Sequence, residues 1–85
     1  MFKIWAKIIK NDKIISSFMY VGYHFNQKEL INYLMEICYN LEIPTPIVLE
    51  KHINHFSNFK NTSFTGDDFI ESIDFDKLVL ENATE

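Results

Sequence analysis

Charge is sorted along this chain from one end to the other, and both ends carry the pattern of β-strands. Residues 1–13 hold Lys3, Lys7, Lys10 and Lys13 against Asp12 alone, a net of +3. Residues 67–85 hold Asp67, Asp68, Glu71, Asp74, Asp76, Glu81 and Glu85 against Lys77, a net of −6. Opposite charges on neighbouring strands are mildly favourable. A basic first strand is therefore expected beside an acidic last one.

The strand at the beginning is plain. Phe2, Ile4, Ala6 and Ile8 alternate with Lys3, Trp5, Lys7 and Ile9, which places one strongly apolar face toward a core. Asn11-Asp12 suits a tight hairpin turn because both residue types tolerate positive φ. A second run follows over 14–23. Ser16-Ser17 shifts its phase, as a bulge would, and Gly22 marks the strand end or a close backbone approach.

Helical spacing takes over next. Asn26 is a good N-cap, with Glu29 placed for a capping box and Phe25 and Leu30 placed for a hydrophobic staple. Leu30, Leu34, Ile37, Cys38 and Leu41 form one apolar stripe, and the spacing predicts a helix over about 27–40. Pro44-Thr45-Pro46 stops it. Thr45 as cap and Pro46 at the first helical position predict a second helix over about 46–58. Ser63-Phe64 reads as a short strand and Thr65-Gly66-Asp67-Asp68 as a helical turn. Residues 73–80 read as a final strand, and the last few residues are expected to fray.

The fold class expected is α+β. A small antiparallel sheet, made of the N-terminal hairpin and a C-terminal strand, is covered on one face by two helices in the order ββααβ(β). At 85 residues a single domain spans the chain.

Composition narrows function by exclusion. Only two residues are Gly, so no glycine-rich loop cradles a phosphate, and no nucleophile elbow or dinucleotide fingerprint occurs. No cofactor and no catalytic residue is expected. Cys38 is the lone cysteine, interrupted apolar runs at the N-terminus argue against a signal peptide, and no run reaches bilayer length. These features fit a reducing cytoplasm.

Three surface readings remain. Aromatic residues make up 15% of the chain, more than a small core needs, so some rings are expected on an interface. Trp5, Tyr20 and Tyr23 are the candidates, for a homo-oligomer or another protein partner. His52 and His55 sit three apart on a helix and could offer two imidazoles to a metal ion, with carboxylates completing the set. The acidic 67–76 segment offers oxygen ligands but lacks the EF-hand pattern. Lys3, Lys7, Lys10 and Lys13 could touch phosphate, although all eight cations are Lys and the net charge is −4, which argues against nucleic acid.

Three segments also resemble a family of short bacterial proteins, Firmicutes-like in character, that has no assigned activity. They are Trp5-Ala6-Lys7-Ile8-Ile9-Lys10, Ile43-Pro44-Thr45-Pro46-Ile47-Val48-Leu49-Glu50-Lys51 and Phe69-Ile70-Glu71-Ser72-Ile73-Asp74-Phe75-Asp76. The resemblance implies an independent cytoplasmic domain and no site residues.

Overall fold

The alternation of apolar and polar residues in the first strand dictates a two-faced sheet, and the computed structural model, which describes residues 1–84, has one. Strands β1 (Phe2–Lys10), β2 (Lys13–Gly22), β3 (Asn61–Thr65) and β4 (Lys77–Asn82) form a single antiparallel sheet in the order β2-β1-β4-β3. Helices α1 (Leu30–Leu41) and α2 (Glu50–Phe59) pass between the two strand pairs. The fold is α+β, and β1 lies between β2 and β4; β4 itself carries only Lys77 and Glu81 as charged residues, so the acidic residues expected on the last strand fall mostly before it, in 67–76.

Asn11 and Asp12 both take positive φ, 53° and 63°, which is the twist a two-residue hairpin requires. The turn is fastened from outside: the Asn11 N–H donates to Asp76 Oδ2 at 2.8 Å. A bulge interrupts the β1–β2 register between Ile8 and Ile9, opposite Ile14 to Ser16, where the phase of the sequence slips. At the far end Phe2 pairs with Gly22. A Cβ on Gly22 would lie 2.4 Å from the Phe2 ring, so the aromatic ring occupies the space that only glycine leaves open.

The core lies between this sheet and the helices. Phe2, Ile4, Ala6 and Ile8 of β1, Phe64 of β3 and Leu78 and Leu80 of β4 are buried on one side of the sheet. Leu30, Leu34, Ile37 and Cys38 of α1 and Phe56 of α2 meet them. Phe69 and Phe75, packed edge to face at 5.8 Å, seal the region before β4. Burying rings of this size removes large apolar areas from water, which a short chain needs.

Several local expectations change. Asn26 caps a 3₁₀ turn over Gln27–Glu29, accepting from the Lys28 N–H at 3.0 Å, and α1 proper starts at Leu30. Glu29 does not close a capping box; its carboxylate accepts from the Asn32 amide. Phe25 packs on Phe2, Tyr33 and Phe56. The second helix begins at Glu50, not Pro46. The Ile47 N–H donates to the Asp68 carbonyl at 2.8 Å, and Leu49 is extended as the N-cap, so residues 43–49 lie outside the helix. Thr45 lies ahead of the helix, whose N-cap is Leu49. The last strand runs over Lys77–Asn82, later than 73–80, because Ile73 and Phe75 are spent on the core before pairing with β1 begins. Beyond it, the Ala83 N–H donates to the Lys3 carbonyl and the Lys3 N–H to Thr84 Oγ1, each at 2.9 Å. Glu85 lies outside the described residues.

Candidate functional site

Alternation along β1 sends Lys3, Trp5, Lys7 and Ile9 to the side of the sheet opposite the helices. Directly opposed residues in an antiparallel pair share a face. Trp5 lies opposite Met19 on β2 and Glu81 on β4; Lys3 opposes Val21, and Lys7 opposes Val79. Among the described residues no helix covers this side. Trp5, Met19, Val21 and Val79 therefore form an apolar strip on an open face, with Met19 and Val21 exposed and Trp5 and Val79 half-buried.

Lys7 holds the strip at its edge. Lys7 Nζ stands 4.4 Å from the centroid of the Trp5 ring and 2.7 Å from Glu81 Oε2. It thus ties β1 to β4 and braces the indole at once. This is the one ion pair between lysine and carboxylate found between the basic and acidic ends among the described residues.

Tyr20 and Tyr23 do not join Trp5. Tyr20 has the opposite parity and lies on the helix side, half-buried, with its ring 5.2 Å from Tyr33 and 5.9 Å from Phe2. Burial raises the Tyr20 phenol above its ordinary value, and the Glu36 carboxylate adds to the effect. Tyr23 follows the end of β2 and is 81% exposed. Of the three aromatic candidates, only Trp5 lies on the open face. Met19, Val21 and Val79 complete the strip, and strand parity carries that signal once the β1–β2 and β1–β4 registers are known.

A second feature lies at the opposite edge of the sheet. Lys51, His52 and His55 of α2, Thr62, Ser63 and Thr65 of β3, and Asp68 line a cleft of about 310 Å³. His52 is buried, its ring 4.4 Å from that of Phe64. Its Nδ1 accepts the Leu49 N–H at 2.9 Å, capping the first turn of α2. In the neutral ring the proton is then on Nε2, which faces Asp68 Oδ1 at 3.6 Å. Burial holds the imidazole below its ordinary value; Asp68 opposes that shift and Lys51 reinforces it.

Asp68 is a hub. Its Oδ2 accepts the Thr65 N–H at 2.9 Å, its carbonyl accepts the Ile47 N–H, and Oδ1 turns to His52. His55 points its Nδ1 at the Asn61 carbonyl, 2.6 Å away, so that nitrogen donates and Nε2 is the free acceptor. The structure therefore brings His52, His55 and Asp68 to one cleft, with His52 committed to the helix cap. No group of three or more metal-ligating side chains converges among the described residues.

The other candidates disperse. Cys38 is buried, and burial pushes its thiol up to about 11, with the Thr45 hydroxyl pulling the other way. Lys10 and Lys13 flank the hairpin turn, apart from Lys3 and Lys7 on the open face. No helix is long and apolar enough to cross a membrane among the described residues. Comparison with family models, with curated proteins and with solved structures finds no match to this chain.

Proposed function

We propose that this domain is a non-catalytic interaction module that binds protein, its own copies included, through the open face of the sheet. The observation that carries the reading is the apolar strip of Trp5, Met19, Val21 and Val79 on the side no helix covers. A two-layer fold needs one covered sheet face; a second face bearing a braced indole goes beyond that need. Indole rings with a cation beside them are frequent anchors of interfaces. The surrounding Lys3, Lys7 and Glu81 supply a polar rim.

Light scattering on the purified chain, with Trp5 emission followed over the same concentrations, tests the reading. Self-association accompanied by a blue shift of the single indole supports it. A monomer at all concentrations, with a solvent-exposed emission spectrum that no partner alters, removes it.

A metal ion in the cleft is the second reading: His52, His55 and Asp68 all line it, without converging as a ligand group of three among the described residues, so such an ion would draw on His55 and one further side chain. To ligate as a neutral ring, His52 must give up the Leu49 N–H or turn its ring; His55 has Nε2 ready. Titration calorimetry with zinc separates the two readings. Stoichiometric binding that disappears in His55→Ala establishes the metal site, and an absence of heat ends it.

A further inference from the structure

Strand β2 ends the sheet on one side and pairs only with β1. Its outer flank presents unpaired N–H and C=O groups, which are a template for another strand. Proteins usually protect such a flank with charge, bulges or brevity. β2 is ten residues long and has no charged residue after Lys13. Its bulge lies near the turn, and from Ser16 to Gly22 the register with β1 is unbroken. The opposite edge strand, β3, has only five residues.

We infer that the Ser16–Gly22 edge pairs with the same edge of a second copy, antiparallel about a two-fold axis beside Met19, joining two four-stranded sheets into one of eight. The inference rests on the self-association in the interaction-module reading above and adds an edge contact beside the open face.

Charge selects the occupant. The chain carries a net −4, concentrated in its last residues, so copies meeting on that surface repel. The 16–22 edge is neutral and fits its own copy without opposing like charges. Antiparallel pairing about Met19 holds the two Lys13 residues about 40 Å apart at ~3.3 Å per residue. That is well beyond the screening length of about 8 Å at physiological salt.

The register has specific consequences. Met19 meets Met19 of the second copy on the open face, so the two Trp5–Met19 pairs become one apolar strip crossing the axis. On the helix side, Phe18 of each copy comes opposite Tyr20 of the other. Both are only partly buried in a single chain, and aromatic cross-strand pairs are favourable. Edge pairing over this length buries less than the ~800 Å² per partner of a standard interface. Association is therefore expected at about micromolar concentrations and above.

The test uses Met19→Lys and Met19→Glu, each alone and in equal mixture, with circular dichroism confirming that the exposed position leaves folding intact. Sedimentation is expected to show association of the wild type, weakening on the order of tenfold in each variant alone, and recovery in the mixture, where Lys faces Glu. Hydrogen exchange on the wild type adds a measurement without substitution: alternate amides of Ser16–Gly22 should gain protection as concentration rises. If those amides stay unprotected in a dimer, the edge contact is overturned while the interaction reading stands; if the variants associate like the wild type, both the edge contact and the Met19 strip are overturned. If the mixture stays as weak as either variant, the Met19 axis is overturned. A wild type that is monomeric up to ~1 mM overturns both the edge contact and self-association.

Discussion

His52 is where a single substitution separates structure from titration. The wild-type ring does three things: Nδ1 accepts the Leu49 N–H, Nε2 faces Asp68, and the ring fills space against Phe64. In His52→Ala all three are lost. An N-terminal cap is worth about 1 kcal/mol, and the void left by a buried ring adds on the order of 1–2 kcal/mol. The expected loss is about 2–3 kcal/mol, out of roughly 4–13 kcal/mol for a domain of this length. At about 4–8 °C per kcal/mol, the melting temperature should fall by roughly 10–20 °C.

His52→Asn is the informative companion. Its Oδ1 can stand near the position of Nδ1 and keep the Leu49 bond, while the titrating ring is gone. The native ring is held below its ordinary value, chiefly by burial, so the unfolded chain binds the proton more readily. The stabilisation is therefore complete above the unfolded value near 6.5 and is lost as pH falls below it. Protonation would also place an N–H against the Leu49 N–H. One group can contribute a slope of at most about 1.4 kcal/mol per pH unit. Urea unfolding of wild type and His52→Asn between pH 7.5 and 5 (~0.5-unit steps) reads the difference. The wild type should lose stability faster on acidification. Parallel curves for the two proteins would refute the account of His52 as a buried neutral cap.

Three further outcomes follow from the same geometry. Gly22→Ala drives a methyl group into the Phe2 ring, which is itself packed by Tyr20, Phe25 and Tyr33, and should cost about 1–3 kcal/mol by thermal unfolding. Asp12→Gly relieves a positive-φ side chain in the hairpin turn and should stabilise by about 0.5 kcal/mol, measured by the urea midpoint at unchanged slope. Lys7→Ala removes a partly exposed ion pair and should cost no more than about 1 kcal/mol, yet shift Trp5 emission because the cation over the indole is gone; an unshifted spectrum would contradict that contact.

Elements governed by local rules were legible in the sequence. The alternation of Phe2, Ile4, Ala6 and Ile8 assigned the buried side of β1, because side chains in a strand alternate whatever surrounds them. Asn11-Asp12 announced the hairpin turn, and the Leu30, Leu34, Ile37, Cys38 stripe announced the buried face of α1. The first strand does lie beside the last, as expected, but β4 carries one Lys and one Glu, so the acidic residues lie mostly ahead of it. Tertiary structure decided which groups spend that charge. Glu81 meets Lys7, whereas Asp76 takes the Asn11 N–H and Asp68 serves Thr65 and faces His52. It also moved the start of α2 from Pro46 to Glu50: Ile47 bonds a carbonyl far along the chain, and the Leu49 N–H is taken by the buried His52 ring, which caps the helix there. The open face belongs to the same class. Strand parity shows which residues share a side, but only the placement of both helices on the other side leaves Trp5, Met19, Val21 and Val79 uncovered. Spacing along a chain sets direction within one element; meeting between elements is set by packing, which must satisfy every buried group at once.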